Sequence, residues 1–508
     1  MRTFRWPAIV LIVAAMVTAS VYDVNSRPTE EVDDSTVGAG VPASISEEVS
    51  SWFCAAGRLS DLHSVEIVNP TDEAEVVLVT VFGQQRRSGK VRPPQTIELV
   101  VGANSLVSQP LSEGMDKGMF VSAAVETPAG FIVEHSVFSE FGSDTQPCVD
   151  RASDTWHEPW GATDRGGEMT MVLFNPFPED AVVDMVFATE NGVRESLDFR
   201  AVVVPGKSVT PLLIGSGVVD AEAVATQDPT AVDVDAGPIT VAGRVSATVS
   251  VRSGRLIAER LQTYDGSGTS RGMVIGASAP SVATAWSFPV GTVRRPQRST
   301  IVVYNPTEES AEVDVEILPN DPTVAIEPFR LKVLAGHNEL VDLSRKPRLR
   351  GVEDYSVIVR SLNGVGVVAS RVDAGPPEPR AEQVPGLSST IGSSVMSSTH
   401  LLALPLSEES PGSQVVLANV DFDAIAVVEI SHVVDGRATV VAGLEAVELG
   451  SGRRIVLDLE EHDIGSGALL VESTVPIVVG REVLRLNSRS VGMGVPGSKY
   501  FELPGPVF

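Results

Sequence analysis

Cysteine and aromatic residues are scarce in this chain, and helical patterns are missing. Its 508 residues include two cysteines, and Phe, Trp and Tyr together make up 5%. The two cysteines do not form a Cys-x-x-Cys motif, which argues against a redox pair. No long stretch repeats apolar residues at i, i+3, i+4 and i+7, so we expect few helices in the body of the chain.

The sequence also lacks the common catalytic and metal-binding motifs. Its histidines are scattered, with no His-Glu-x-x-His spacing, and there is no Gly-x-Ser-x-Gly elbow and no Walker loop. We therefore expect a protein that is not an enzyme and that needs no cofactor or metal. Carboxylates are abundant, so a catalytic pair of the kind used in glycoside hydrolysis is left open.

Positive charge is in short supply, since 38 Lys and Arg face 66 Asp and Glu, for a net charge of −28. Such a surface repels phosphate backbones, which argues against nucleic acid as a partner. Solubility is the simplest role for these acids. A calcium site at Asp233 and Asp235 is a narrower interpretation, although their loop lacks the further oxygen ligands that calcium needs.

The N-terminus carries an export pattern. Arg2 and Arg5 precede an uncharged run from Trp6 to Tyr22, which is at the short end of what spans a bilayer. We expect residues 1–22 to form a hydrophobic helix that serves as an uncleaved signal anchor, with a cleaved signal peptide as the alternative. Either way, the body lies outside the cytoplasm. The acidic residues 23–50 are expected to form a disordered tether.

The body of the chain repeats one strand-rich pattern four times. Each copy has an apolar strand that ends in Asn, and in the first three copies Pro follows; these residues are Asn69, Asn175, Asn305 and Asn419. Asn and Pro favour a turn after the strand. A strand of alternating apolar residues follows each turn, at 74–82, 181–189, 311–318 and 424–433.

Two further markers recur in step with the Asn turns. A late apolar strand carries one basic residue in each copy, namely His135, Arg260, Arg371 and Arg481. A tryptophan precedes the turn in three copies, at Trp52, Trp156 and Trp286, and a leucine replaces it in the fourth. The pattern reappears near residues 501–504. We expect these segments to pack at seams between modules, with the last one capping the chain.

These patterns predict an all-β fold of four tandem antiparallel β-sandwich modules, similar to immunoglobulin domains, after the N-terminal helix. The predicted modules are residues 51–150, 151–280, 281–395 and 396–508. The second is longer because it holds an insertion that includes residues 220–238. A closed ring of β units, such as a propeller or toroid, is the alternative.

A combination of short motifs gives the chain a family resemblance. Trp52-Phe53-Cys54 follows the export segment, Cys148 precedes Trp156, and Gly161-Ala162-Thr163 accompanies the recurrent Asn-Pro strands. In these features the chain resembles a family of secreted or membrane-anchored actinobacterial proteins of uncharacterised function. The resemblance covers the whole body and implies its location and β fold, but it brings no catalytic residues. The fourth copy, without Trp or Asn-Pro, departs most.

The recurring residues each have a structural and a functional interpretation. Outside the cytoplasm, Cys54 and Cys148 are expected to form a disulfide, with free thiols as the alternative. The four basic residues are expected to be half-buried, with contacts to an anionic glycan as the alternative. The repeated tryptophans are expected to be core or seam anchors rather than sugar platforms. Trp160, outside the repeat, is the best candidate for an exposed ring.

We therefore expect a non-enzymatic, membrane-anchored protein of the cell envelope that acts as a structural or interaction scaffold. Its partner would be an envelope protein or polymer. The first alternative is a carbohydrate-binding array that recognises a wall polymer. The second is a cell-wall hydrolase, which would need a deep pocket with converging titratable groups at a seam between modules.

Overall fold

Branched apolar residues at alternate positions build strands throughout the chain. A computed structural model describes residues 43–58, 61–84, 92–111, 120–216, 243–291, 296–321, 323–352, 354–378, 386–407, 410, 412–485 and 488–504. The predicted N-terminal helix, most of the tether and the insertion with its candidate calcium ligands lie outside these residues. Within them, no helix has the length and apolar content needed to cross a membrane.

The first sandwich contains two four-stranded antiparallel sheets. Its strands are β1 (Ser50–Cys54), β2 (Leu62–Asn69), β3 (Glu75–Gly83), β4 (Gln95–Val101), β5 (Ser105–Pro110), β6 (Val121–Thr127), β7 (Ile132–Ser139) and β8 (Gly142–Pro147). One sheet has the order β1-β6-β3-β4 and the other has the order β5-β2-β7-β8.

The second sandwich repeats this arrangement with one added strand. Its strands are β9 (Thr155–Gly161), β10 (Gly167–Asn175), β11 (Ala181–Thr189), β12 (Gly192–Arg194), β13 (Val202–Val204), β14 (Ser208–Ser216), β15 (Val245–Ser253), β16 (Ile257–Asp265) and β17 (Arg271–Ala277). The sheet orders are β9-β15-β11-β12, with β13 also paired to β11, and β14-β10-β16-β17. A short 3-10 helix spans Leu197–Phe199.

The third sandwich has the same order of strands again. Its strands are β18 (Ala285–Phe288), β19 (Arg298–Tyr304), β20 (Ala311–Pro319), β21 (Phe329–Val333), β22 (Asn338–Asp342), β23 (Tyr355–Ser361), β24 (Val368–Ala374) and β25 (Leu387–Ile391). They form sheets β18-β23-β20-β21 and β22-β19-β24-β25. Two 3-10 helices span Leu343–Arg345 and Pro347–Leu349.

In the fourth sandwich one long strand takes part in both sheets. The strands are β26 (Val395–Leu404), β27 (Gln414–Ala418), β28 (Ala426–Val434), β29 (Arg437–Val440), β30 (Val447–Leu449), β31 (Arg454–Asp458), β32 (Gly467–Arg485), β33 (Ser488–Met493), β34 (Val495–Pro496) and β35 (Tyr500–Glu502). Strand β32 pairs with β26 and β28 in its first half and with β27 and β33 in its second half. It thus replaces two separate strands of the other copies. The predicted all-β fold of antiparallel sandwiches is confirmed.

The four sandwiches form a closed ring. Their last sheet strands, β8, β17, β25 and β33, lie at its centre, where β8 contacts β17, β17 contacts β25, β25 contacts β33 and β33 contacts β8. Each sandwich therefore touches two others, and the fourth returns to the first. The sheets themselves remain separate, so the ring is made of sandwiches and not of propeller blades.

Apolar cores continue across the seams between neighbouring sandwiches. Phe82 and Val137 of the first sandwich share a core with Trp156 and Phe174 of the second. The core of the first sandwich also includes Leu401 of the fourth. Smaller clusters join the second sandwich to the third and the third to the fourth. The seams are thus held by hydrophobic burial as well as by polar contacts.

Part of the predicted tether is packed against the ring. Ala43 is 3% exposed, the N–H of Ser44 donates to Asp150 Oδ2 at 2.8 Å, and the N–H of Ile45 donates to Pro496 O at 2.8 Å. The prediction of disorder was therefore wrong for residues 43–49. Its cause is that these residues find partners in both the first and the fourth sandwich.

The C-terminal segment does not cap an open end, contrary to prediction. Strand β35 pairs with the start of β26, with Val395 opposite Glu502, and Leu503 is buried in a cluster with residues of the third and fourth sandwiches. A closed ring has no end module to cover, so this segment completes a sheet edge and a seam instead.

Candidate functional site

The four central strands meet around the axis of the ring, and Asp144 on β8 connects three of them. Its carboxylate accepts from the Ile275 N–H on β17 at 3.0 Å and from Ser490 Oγ on β33 at 2.7 Å. Burial raises the pKa of Asp144 to about 6, although these hydrogen bonds and one from Gln146 oppose the rise. The first, second and fourth sandwiches are therefore joined at one buried carboxylate.

Arg481 and Glu134 form a fully buried ion pair at the seam between the fourth and first sandwiches. Arg481 Nη1 donates to Glu134 Oε1 at 2.7 Å, and Nη2 contacts Oε2. The N–H of Ala403 donates to the same Oε1 at 3.0 Å. Buried charges are tolerated only when they are paired and hydrogen-bonded, so the geometry of this pair fixes how the two sandwiches meet.

His135 occupies the equivalent position at the next seam. Its Nε2 lies 3.6 Å from Glu259 Oε2 of the second sandwich, and that oxygen accepts from the Ala56 N–H at 2.6 Å. On its other side, His135 Nδ1 is 3.3 Å from His63 Nε2. Burial lowers the pKa of His63 to about 3, lowers that of His135 well below its usual value and raises that of Glu259 to about 7. Burial thus favours the neutral forms of this group.

At these two seams, the basic residue of one sandwich faces the glutamate that precedes the basic residue of the next. Serine and glycine take the place of that glutamate in the other two sandwiches, at Ser370 and Gly480. Arg260 therefore pairs with Glu158, whose Oε1 lies 3.2 Å from its Nε, and Arg371 pairs with Asp373 at 3.0 Å. The chain thus uses two different solutions for the same repeat position.

Asp373 extends this network across the seam between the third and fourth sandwiches. Its Oδ2 lies 3.5 Å from Arg489 Nη1 on β33, and Arg489 also contacts Glu482. The pKa of Asp373 is lowered because the adjacent Arg371 and Arg489 outweigh the desolvation caused by burial. The four predicted basic residues are therefore buried, each with 3% exposure or less, and all lie at or beside the seams.

The repeated asparagines are buried at the turns, where each bonds backbone on both sides. Asn305 Nδ2 donates to Glu309 O at 2.7 Å and to Val333 O at 3.0 Å, and its Oδ1 accepts from the Thr307 N–H at 3.1 Å. Asn69, Asn175 and Asn419 have equivalent partners. The side chain therefore joins the turn to the opposite sheet, including in the fourth copy, which has no proline.

The repeated tryptophans lie inside the sandwiches. Trp52, Trp156 and Trp286 are fully buried, and their indole N–H groups donate to Thr127 Oγ1, Leu256 O and Val367 O respectively. The residues that follow them reach the seams, as Ala56 does at Glu259. A buried ring offers no face for stacking a sugar.

Trp160 is not exposed, so its prediction as a surface ring was wrong. It is 6% exposed and lies in a cluster with Tyr264 of its own sandwich and Val302 of the third. The guanidinium of Arg260 covers its ring, with 5.0 Å from Cζ to the centroid. The closure of the ring buries this residue, and strand periodicity alone carries no information about that closure.

Cys54 and Cys148 form the predicted disulfide, with an S–S distance of 2.07 Å. Both residues are fully buried in the core of the first sandwich. The bond joins the first strand to the segment that leaves the last strand of that sandwich. Disulfides are typical of proteins that fold outside the cytoplasm.

A cavity lies on the ring axis between the ends of the four central strands. Its enclosed volume is about 60 Å³, or about 640 Å³ when its open mouth is counted. All four sandwiches line it, and the lining is Ala43, Gln146, Pro147, Arg260, Gly276, Ala277, Ser389, Thr390, Ile391, Gly392, Ser393, Met493, Gly494, Val495 and Pro496. Arg260 is the one charged side chain in this lining.

Sequence reasoning missed the glutamates of the seams and the axial aspartate. A signal for the glutamates was present, because Glu134 and Glu259 both directly precede the basic marker of their copies. Asp144 carries no repeat signal, since its partners come from β17 and β33. In the part of the chain that the structure describes, no group of three or more His, Cys, Asp or Glu side chains is arranged to hold a metal ion.

Comparison with known proteins gives a family match without an activity. The model of a family of unknown function, DUF5719, matches residues 253–498, which cover the end of the second sandwich and most of the third and fourth. No curated protein matches the chain. A crystal structure of a tetra-tandem repeat in the extending region of a large adhesion protein aligns over 90% of this chain and 100% of that one. It has 9% identity and a TM-score of 0.10, which is too low to indicate a shared fold.

Proposed function

We propose that this chain is a non-catalytic scaffold outside the cytoplasm. In this proposal, a ring of four β-sandwiches is held at the membrane by the N-terminal segment and presents its outer surface to an envelope protein or polymer. The observation that carries the proposal is the use of the buried ionisable groups. Arg481, Glu134, Asp373, Arg489 and Asp144 contact partners in neighbouring sandwiches, so their chemistry serves to fix the shape of the ring.

Rigidity is what a scaffold needs, because a preorganised surface loses little conformational entropy when it binds. The seams combine apolar cores with ion pairs, and the disulfide Cys54–Cys148 constrains the first sandwich further. The disulfide also supports a location outside the cytoplasm. The outer faces carry single exposed apolar residues, among them Val100, Leu197 and Ile425, on different sandwiches.

The alternatives find less support in the contacts. A carbohydrate-binding array predicts exposed aromatic rings, whereas the four tryptophans of the described residues are buried. A hydrolase predicts a pocket with converging titratable groups, whereas the axial cavity has Arg260 as its one charged side chain.

Site-specific photo-cross-linking in intact cells tests the scaffold proposal. A photoreactive residue replaces Val100, Leu197 or Ile425 in the full chain, and Val137, which is buried in a core, serves as the matched negative position. We expect at least one surface position to give a discrete, light-dependent adduct with an envelope component, identified by mass spectrometry, while position 137 gives none. Adducts from no surface position would contradict an interaction role. Release of soluble fragments from purified cell walls by the full chain would favour the hydrolase instead.

A further inference from the structure

Arg260 has hydrogen-bond donors that its protein partners do not use. It lies on β16 and is 3% exposed. Its Nη2 donates to Ser389 Oγ at 3.2 Å across the seam to the third sandwich. Its Nε is 3.2 Å from Glu158 Oε1, but the contact lacks hydrogen-bond geometry, and Nη1 has no partner. An arginine carries five N–H groups, and leaving them unmatched in a buried position is unfavourable.

This arginine differs from its equivalents in the other copies because it borders a cavity. Arg481 is bound at both terminal nitrogens by Glu134, and Arg371 donates to both carboxylate oxygens of Asp373. Arg260 instead lines the axial cavity, and the ring of Trp160 covers the guanidinium from the other side. Packing on an aromatic face holds a guanidinium in place while its edge remains available to an acceptor.

The remaining walls of the cavity are mixed in character. Ala277, Ile391, Met493 and Val495 provide apolar surface, and the hydroxyl-bearing residues Ser389, Thr390 and Ser393 lie on one side. The enclosed volume of about 60 Å³ is of the size of a carboxylate group with one or two carbons, and the wider mouth leaves space for a short alkyl chain. Small-molecule sites typically combine such apolar walls with a few placed polar groups.

We infer that the axial cavity binds a short-chain aliphatic carboxylate, with the carboxylate on Arg260 and the alkyl chain against the apolar wall. Arginine suits this role because its planar fork matches the two oxygens of a carboxylate. All four sandwiches contribute to the cavity lining, so the bound acid would contact the whole ring at its axis. This site is independent of whatever partner the outer surface binds.

Titration of the purified full chain with butyrate tests the inference by isothermal calorimetry and saturation-transfer NMR. Butyramide, which has the same shape without the charge, and butylamine, which has the opposite charge, serve as matched probes. We expect butyrate to bind once per chain. We expect butyramide to bind about tenfold more weakly, since it loses a charge-assisted contact, and butylamine not to bind.

Two substitutions and a matched control locate the site. Arg260→Lys removes the planar fork and should weaken butyrate binding by about tenfold or more. Arg360→Lys is the control, because Arg360 is also 3% exposed and also has one carboxylate partner, Glu316, but does not line the cavity. It should leave the affinity within about twofold. Ala277→Met fills the cavity without touching the charge, and it should abolish binding.

The variants keep the inference open to refutation even if one of them folds poorly. Circular dichroism establishes which variants are folded, and Ala277→Met decides the matter if Arg260→Lys is not. The inference is wrong if butyrate fails to bind the wild-type chain, in which case water satisfies Arg260. It is also wrong if folded Arg260→Lys or folded Ala277→Met binds butyrate as the wild type does.

Discussion

Arg481 and Glu134 lie 347 positions apart in the sequence, yet Arg481 Nη1 and Glu134 Oε1 are separated by 2.7 Å in a fully buried contact. This ion pair joins the fourth sandwich to the first, two modules that no direct chain connection links. The ring therefore depends on non-covalent contacts at this one seam, whereas the chain itself crosses the other three.

Breaking this pair should destabilise the protein strongly. Arg481→Met leaves Glu134 charged and buried without its partner, and we expect a loss of about 3–5 kcal/mol in the free energy of unfolding in urea. Arg252→Met breaks an exposed pair with Asp184 and should cost less than about 1 kcal/mol. The double variant Arg481→Met with Glu134→Leu should recover much of the loss. Similar effects of the buried and the exposed substitution would contradict this account.

Acid should weaken the seam between the first and second sandwiches. The pKa values of His63 and His135 are lowered in the folded state, so the unfolded chain binds protons more readily. Stability is therefore fully present above the unfolded pKa of about 6.5 and is lost as the pH falls below it, by about 2 kcal/mol per histidine at pH 5. Urea unfolding at pH 7 and pH 5 measures this loss.

A histidine substitution separates this effect from general acid denaturation. His63→Leu should lose less stability than the wild type between pH 7 and pH 5, because one buried titrating group is gone. His462→Leu, at a half-buried position in the fourth sandwich, should keep the wild-type dependence. The same slope in both variants would show that the seam does not respond to acid. Glu259, with its pKa raised to about 7, opposes the loss and is present in all three proteins.

The turn asparagines should each contribute measurably to stability. Asn305→Ala removes one acceptor and two donor contacts from a buried position, and we expect a cost of about 1–3 kcal/mol. Asn320→Ala, at an exposed position, should change the free energy of unfolding by less than about 0.5 kcal/mol. Chemical denaturation of both variants provides the comparison. An Asn305→Ala variant as stable as wild type would mean that proline and backbone alone define this turn.

Loss of the disulfide should destabilise the first sandwich. The double variant Cys54→Ser, Cys148→Ser should lose about 2–5 kcal/mol of stability. Alkylation of the unfolded wild-type chain without reductant should modify neither cysteine, and prior reduction should expose both to the reagent. Labelling without reductant would show free thiols and would remove this support for an extracytoplasmic location.

Local patterns made much of the fold predictable. The alternating segments 181–189 and 311–318 correspond to β11 and β20 within one residue, because alternation directly reports which side of a strand is buried. The fixed separation of the markers indicated four copies. The disulfide followed from two cysteines in a chain with an export signal.

The candidate site was less predictable, because it is formed by contacts between copies. Asp144 becomes an axial residue only through Ile275 and Ser490, and Trp160 becomes buried only because the third sandwich covers it. Arg260 differs from its equivalents through its position beside the axial cavity. None of these relationships has a sequence period.

The sequence by itself determined the strands, the turns, the number of copies and the covalent cross-link, since all of these depend on residues within one module. The tertiary structure decided that the copies form a ring, which residues the ring buries, and where a cavity remains on its axis. The physical reason is the range of the interactions. Alternation and turn chemistry act over a few residues, whereas the Arg481–Glu134 pair and the axial contacts join residues that are hundreds of positions apart.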